Sequence, residues 1–234
     1  MEIINLCNHN SLVSQYMSEL RDKVIQQDRM RFRRNVQRLG QIMAYEMSKR
    51  FNYADTPTTT PLGVAQTHTL SDPIVLATIL RAGLPLHEGF LSYLDNAENA
   101  FVSAYRKYQP GSDSFDIHIE YMACPPTKGK TLVIADPMLA TGSSMELAYR
   151  ALLSKGEPKH THIACIIASD KAIEFIKQHL PADKTTVWAC DIDHELNSHS
   201  YIVPGLGDAG DLLYGEKSDW EKELESLPQH DNWL

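Results

Sequence analysis

The chain of 234 residues carries 30 acidic and 22 basic side chains, which give it a formal net charge of -8. This acidic balance argues against nucleic acid as the main partner, because binding to a phosphate backbone depends on an excess of Lys and Arg. Hydrophobic residues make up 43% of the sequence, which is enough for a sizeable core. No apolar run reaches the roughly 18 residues that a membrane-spanning helix needs, so we expect no membrane partner.

The spacing of the cysteines and the N-terminal sequence indicate the cellular compartment of the protein. The N-terminal sequence lacks the basic stretch and apolar run of a signal peptide. The cysteines are widely scattered, which disfavours a disulfide framework or a CxxC metal site. We therefore expect a cytoplasmic protein with reduced cysteines, which are Cys7, Cys124, Cys165 and Cys190.

The first 53 residues are predicted to be helical. Apolar residues recur every three or four positions, which predicts amphipathic helices over residues 11–26 and 29–51. Residues 54–61 are rich in Pro and Thr and read as a connection that closes this segment. The second helix carries a group of arginines that would form a solvated face or, alternatively, meet a phosphate-bearing effector or a partner subunit. These arginines are Arg29, Arg31, Arg33, Arg34 and Arg38.

Strand and helix patterns then alternate, which is typical of a mostly parallel sheet with helices on its faces. Residues 107–122 interrupt the alternation with a polar turn and an alternating apolar segment, and this predicts a projecting β-hairpin. The fold class is therefore α/β, with a mostly parallel central sheet flanked by helices. The predicted strands cover residues 74–80, 101–105, 131–136, 162–168 and 185–190.

Residues 136–144 predict a phosphate-binding turn, which we call the phosphate cup. An apolar strand leads into small and hydroxylated residues, and a helical pattern follows from residue 143. The start of a helix presents unpaired N–H groups and partial positive charge, which suit a phosphate group. The alternative is an ordinary helix start without a ligand. The cup consists of Asp136, Pro137, Met138, Leu139, Ala140, Thr141, Gly142, Ser143 and Ser144.

Two arginines are placed where they could meet the same ligand. Arg81 follows the strand over residues 74–80, and Arg106 follows the strand over residues 101–105. Ligands of such sheets bind beyond the carboxyl ends of the strands, so we expect Arg81 and the phosphate cup to converge on one cleft. A surface arginine at a strand end is the alternative for Arg81.

Residues 201–215 contain four glycines and one proline and predict an ordered loop rather than a helix. Backbone groups of a glycine-rich loop can hydrogen-bond the edge of a flat heterocycle, and Ile202 and Leu206 could pack near its face. Asp208 would then place a carboxylate beside the heterocycle. The alternative is a structural loop that caps the sheet.

Three segments together resemble the uracil phosphoribosyltransferase family. They are ILRAG over residues 79–83, DPMLATGSS over residues 136–144 and YIVPGLGDAGD over residues 201–211. The resemblance implies a type I phosphoribosyltransferase fold in a single domain over residues 1–234. Its parts would be N-terminal helices over 1–53, an α/β core over 74–190 and a C-terminal uracil-binding hood over 197–217.

The resemblance also implies the reaction. The family transfers the phosphoribosyl group of 5-phosphoribosyl diphosphate to uracil and forms UMP and pyrophosphate, with Mg²⁺ held mainly by the diphosphate. Arg81, Arg106, Asp208 and the phosphate cup would bind phosphoribosyl diphosphate, the first three acting in catalysis. Family members are homodimers or homotetramers, and some are activated by GTP. The residues implied to bind uracil are Ile202, Gly207, Asp208 and Ala209.

The chain departs from the family pattern at several positions. Ser143 and Ser200 stand where glycine is usual, Leu212 replaces a basic residue, and residues 107–122 lack an acidic stretch. Residues 218–234 suggest no function. Two rival hypotheses stay open at this point: an enzyme of the same fold that acts on another base, and a non-catalytic, nucleotide-sensing regulator that binds RNA.

Overall fold

The computed structural model describes residues 1–108 and 115–216 of the chain. No helix within these residues is long and apolar enough to cross a bilayer. The helices are α1 (Leu12–Arg21), α2 (Arg29–Ser48), α3 (Leu84–Leu91), α4 (Ser143–Leu153), α5 (Asp170–His179) and α6 (Ala209–Tyr214). The strands are β1 (Glu2–Asn5), β2 (Tyr53–Thr60), β3 (Gly63–Leu70), β4 (Ile74–Leu80), β5 (Glu98–Tyr108), β6 (Phe115–Ala123), β7 (Thr131–Ala135), β8 (Met138–Leu139), β9 (His160–Ser169), β10 (Thr185–Asp193), β11 (Glu195–Leu196) and β12 (Ile202–Val203).

The main sheet confirms the predicted α/β class. Its strand order is β1-β10-β9-β7-β4-β5-β6, and β8 adds to β9. All neighbours pair in parallel except β5 and β6, which form an antiparallel hairpin at one edge. The central strands are continuous apolar runs because helices cover both of their faces.

Two apolar clusters lie on opposite faces of the sheet. Alternate residues of β4 serve the two clusters, since Leu76 belongs to one, and Val75 and Ala77 belong to the other. The first cluster also takes the buried stripes of α1 and α2 together with residues of the hood. The second cluster takes α4 and α5. The N-terminal helices and the hood therefore share one layer.

The N-terminal region differs from the prediction in two ways. Residues 2–5 form β1, which pairs in parallel with β10 and extends the main sheet. The helix predicted over residues 11–26 ends at Arg21, because the Asp22 carboxylate accepts the N–H groups of Val24 and Ile25 and starts a short 3-10 turn. The second helix agrees with its prediction to within a few residues.

The connection predicted over residues 54–61 is wrong. These residues belong to an antiparallel β2–β3 hairpin, residues 53–70, which we call the arm. Threonine favours extended backbone, and Thr56 and Thr58 contact Thr69 and Thr67 across the arm at 2.7 Å. The prolines indicated a break in regular structure. A proline is nevertheless tolerated in an exposed two-stranded ladder, because its missing N–H can face solvent.

The glycine-rich segment is also more regular than predicted. Residues 209–214 form α6, a single short helix, although the sequence suggested that glycines would exclude one. The Asp208 carboxylate accepts the Asp211 N–H at 3.0 Å and caps this helix. Ser200, which replaces a glycine of the family, has a φ of 62°, so it occupies the left-handed conformation that glycine adopts most easily.

Candidate active site

The site starts at the carboxyl ends of β4 and β7, which are neighbours in the sheet. Thr78 of β4 lies opposite Ala135 of β7, and its hydroxyl donates to the Ala135 carbonyl at 3.1 Å. Gly83 packs against this junction so closely that a Cβ would lie 2.1 Å from the Thr78 hydroxyl and 2.8 Å from the Ala135 carbonyl oxygen. Only glycine fits there. The loops after the two strands therefore lie side by side, as the sequence predicted.

The phosphate cup is held by the sheet rather than by its own side chains. Residues 138–139 form β8 on β9, and the Ser169 hydroxyl at the end of β9 donates to the Ala140 carbonyl at 2.6 Å. Gly142 has a φ of 84° and begins α4 without a side-chain cap. The Ser143 N–H points toward the Thr141 hydroxyl at 3.4 Å, a long and weak contact. The first turn of α4 is thus available to an anion.

Asp136 is a partly buried carboxyl at the base of the cup. Its N–H donates to the Ala164 carbonyl at 3.0 Å, so the backbone is fixed between β7 and β9. Desolvation raises the pKa of Asp136 to about 7, and a hydrogen bond from the Met138 N–H offsets only part of this effect. A ligand group that donates hydrogen bonds to this carboxylate would lower the free-energy cost of burying its ionised form.

Arg81 brings the β4 loop to the hood. It follows a cis peptide bond after Leu80, and its side chain is 40% exposed. One guanidinium nitrogen lies 3.8 Å from an Asp211 carboxylate oxygen in α6. Arg81, the phosphate cup and the segment that contains Asp208 therefore border the same edge of the sheet. The backbone of Arg106 lies in β5 opposite Ile117, and its side chain is outside the described part of the chain.

A cavity of about 290 Å³ opens beside Asp208. It is formed by the hood and by the segment between α1 and α2, which the sequence did not connect with the site. Leu212, the departure from the basic residue of the family, lies in its wall. The lining residues are Gln26, Gln27, Arg29, Gly207, Asp208, Asp211, Leu212 and Glu216.

The predicted role of two apolar side chains is not supported. Ile202 and Leu206 are 4% and 3% exposed and belong to the core cluster that contains α1 and α2. They anchor the hood and do not present a face to the cavity. What this part of the hood can offer a heterocycle is its backbone N–H and C=O groups.

The sequence also missed a set of contacts that we call the Arg21 clamp, formed by Arg21, Asp191, Asp193 and Gly205. Arg21 ends α1, and its guanidinium donates to Asp191 at 2.7 Å and to both oxygens of Asp193 at 2.8 and 2.9 Å. It also donates to the Gly205 carbonyl at 3.0 Å, while the Gly205 N–H donates to Asp193 at 2.8 Å. Burial alone would raise the pKa of Asp193, but the bonds from Arg21 and Gly205 outweigh it and lower the pKa.

The arginines of α2 are mostly engaged within the chain. Arg31 binds the Glu19 carboxylate at 2.8 and 2.9 Å, and these bonds and one from Asn35 lower the pKa of Glu19 to about 2. Arg33 donates to the Leu213 carbonyl at 2.7 Å and so ties α6 to α2. Arg29, Arg31 and Arg34 are nevertheless exposed, so part of this face is solvated, as one of the two alternatives predicted.

Metal-binding groups are sparse in the described residues, which hold no set of three or more His, Cys, Asp or Glu side chains suited to a metal ion. Mg²⁺ is commonly held by one or two carboxylates together with substrate phosphates and water. Asp136 and Asp208 fit that more limited role. They do not form a site for a metal on its own.

The comparisons with known proteins agree with this geometry. A family model described as uracil phosphoribosyltransferase matches residues 7–216. A Porphyromonas gingivalis protein named uracil phosphoribosyltransferase is 59% identical over 93% of this chain and 100% of its own length. One of that name from Methanothermobacter thermautotrophicus is 38% identical over 90% of this chain and 94% of its own.

A solved structure extends the comparison to the fold. The AQ2163 protein of Aquifex aeolicus is 31% identical, with a TM-score of 0.80 over 91% of this chain and 98% of that one. The motifs, the mostly parallel sheet and the long sequence matches point to one conclusion. The chain belongs to the uracil phosphoribosyltransferase family.

Proposed function

We propose that the chain transfers the phosphoribosyl group of 5-phosphoribosyl diphosphate to uracil and releases pyrophosphate and UMP. The observation that carries this proposal is the meeting of Arg81 with the hood beside the phosphate cup. The relatives whose sequences align with nearly the whole chain are named for this activity. An acceptor base and an anionic sugar would then be bound by separate segments that border one edge of the sheet.

The phosphate cup would bind the 5-phosphate of the sugar. The amides at the start of α4 supply donors and the partial positive charge of the helix, and Thr141 and Ser143 add hydroxyls. Asp136 would accept hydrogen bonds from the ribose hydroxyls. Those bonds would favour its charged form and reverse part of the desolvation cost in the free protein.

The hood would bind uracil through the backbone of Ile202 and of residues 207–209. Gly207 has a φ of 92°, which turns the chain toward the cavity ahead of the α6 helix. Peptide N–H and C=O groups match the alternating acceptors and donors on the edge of uracil. A Cβ at Gly210 would lie 3.2 Å from an Asp208 carboxylate oxygen and 3.9 Å from an Arg81 guanidinium nitrogen, so Asp208 would lie near both the base and the diphosphate.

The chemistry requires charge stabilisation and positioning rather than a protein nucleophile. The bond between the anomeric carbon and the diphosphate breaks, the bond to N1 of uracil forms, and the N1 proton is released. Arg81, and Arg106 from β5, would stabilise the negative charge that develops on pyrophosphate. Mg²⁺ would supply further charge neutralisation of the diphosphate when bound.

We also propose that the protein is a homo-oligomer, a dimer or a tetramer, that uses the arm. Nearly every residue of the arm is exposed, including Leu62 in its turn and Val64 in β3. An isolated two-stranded hairpin is marginally stable in water, so a second copy that covers the arm would stabilise it. GTP remains a candidate effector from the family resemblance, without an assigned site.

The reaction can be tested by mixing the protein with 5-phosphoribosyl diphosphate, Mg²⁺ and one base at a time while measuring pyrophosphate. We expect release with uracil because the hood matches its edge. Release with hypoxanthine or orotate but not with uracil would assign the site to another base. RNA binding without any release would favour the regulator.

Asp208→Asn and Arg81→Ala are expected to lower kcat about 100-fold or more, because each removes a fixed charge beside the reacting groups. Asparagine can still accept the Asp211 N–H, so α6 keeps its cap and the thermal midpoint should hold. Arg150→Ala, on the exposed side of α4, is the control and should keep full activity. Near-normal turnover in either site variant would remove that residue from the mechanism.

Asp136→Asn is expected to stabilise the free protein at high pH while it lowers activity. The folded pKa of about 7 exceeds the unfolded value of 3.8, so folding stability is lost as pH rises between these values. The variant should gain about 1–3 kcal/mol at pH 8, less than the full shift because the carboxyl is partly exposed.

This gain should vanish near pH 4, which thermal denaturation across pH can measure. Asp95→Asn, at an exposed position, serves as the control substitution. A variant that is less stable than the unmodified protein at pH 8 would contradict the proposed desolvation of Asp136.

Val64→Asp is expected to lower the mass measured by sedimentation, because a carboxylate in the centre of an apolar contact would be buried without a partner. Val24→Asp is a matched control, since Val24 is 72% exposed and Val64 is 66% exposed. A monomeric unmodified protein, or an unchanged mass in Val64→Asp, would remove the arm from the interface.

A further inference from the structure

Gly205 is one of the residues that tie the hood to the rest of the protein. Both of its backbone polar groups are used by the Arg21 clamp, the N–H by Asp193 and the C=O by Arg21. Its φ is 62°, and a Cβ would lie 2.1 Å from the Ile202 carbonyl oxygen, so the chain reverses there with no room for a side chain. The clamp therefore fixes one peptide in space.

The clamp joins the end of α1 to two segments that lie 172 and 184 positions further along the chain. Arg21 is the last residue of α1, Asp193 is the last residue of β10, and Gly205 lies in the hood. The Asp193 side chain is only 8% exposed, and that of Arg21 is 21% exposed. Charge-assisted hydrogen bonds at such partly desolvated positions are stronger than bonds between neutral groups.

Residues 207–209 of the proposed uracil site lie between two ties to the N-terminal helices. Gly205 precedes residues 207–209 by two positions and is held by α1. Leu213 follows them at the end of α6 and is held by Arg33 of α2. The phosphate cup shares neither tie, because Ser169 and the pairing of β8 with β9 hold it instead.

We infer that Arg21 is a positioning residue for base recognition, which rests on the proposed function: it sets the place of residues 207–209 through Gly205 and acts more strongly on uracil binding than on sugar-phosphate binding, to which only Asp208 of this segment contributes. Lysine cannot replace it. A single ammonium group lacks the planar fork that reaches Asp191, both Asp193 oxygens and the Gly205 carbonyl at once.

The test is steady-state kinetics of Arg21→Lys with each substrate varied in turn. We expect the KM for uracil to rise about tenfold or more, since hydrogen bonds to charged groups are lost. The KM for 5-phosphoribosyl diphosphate should rise several-fold less, because the phosphate cup and Arg81 hold that substrate independently of the clamp. Arg31→Lys is the matched control. This variant alters two hydrogen bonds of similar length, from Arg31 to Glu19, and neither residue contacts the hood through them. The uracil KM should therefore stay unchanged.

Chemical rescue separates positioning from loss of folding. Arg21→Ala should show the same uracil defect, and low millimolar guanidinium should restore the uracil KM without changing that of the unmodified protein. Hydrogen exchange should be faster at Gly205 and residues 207–209 in both variants, with residues 136–144 unchanged. This exchange measurement needs no turnover and so remains decisive if the unmodified protein does not use uracil.

Several results would overturn the inference. They are an unchanged uracil KM in Arg21→Lys, an equal rise in both KM values, and exchange that increases throughout the chain. Absence of pyrophosphate release from the unmodified protein with uracil would instead contradict the proposed function, and the exchange pattern would then decide the role of Arg21 alone.

Discussion

The contact between the ends of β4 and β7 is the constraint on which the rest of the site depends. Thr78 bonds to the Ala135 carbonyl, and Gly83 packs against both residues, so Arg81 and Asp136 leave the sheet as neighbours. Parallel strands make this arrangement natural, since their carboxyl ends share an edge. The cup and the arginine need no direct bond to each other. The sheet places them, and the hood has only to reach across from β10.

The parts of the site that the sequence predicted are those with local causes. A continuous apolar run marks β4 and β7, and the small residues of 136–144 mark a turn into a helix, so Arg81 and the cup could be placed together. The Arg21 clamp could not be found this way. Arg21 and Asp193 are 172 positions apart, and an arginine that ends an amphipathic helix looks like any solvent-facing charge.

The arm and α6 could not be predicted, because the effect of a proline or a glycine on the backbone depends on the surrounding structure. Pro57 sits in an exposed two-stranded ladder, and Gly210 lies in a six-residue helix that Asp208 caps. Tertiary context outweighs local propensity in both cases. The burial of the Ile202 and Leu206 side chains shows a related effect. An apolar residue in a glycine-rich segment can anchor the segment to the core as readily as it can face a ligand.

A crystal structure of the protein with UMP bound tests the central claim, that segments from different strand ends assemble one nucleotide site. We predict the phosphate on the N–H groups at the start of α4, the ribose hydroxyls on Asp136 and the uracil edge on the backbone of residues 207–209. A phosphate bound away from the cup, or a base that does not contact the hood, would contradict the account.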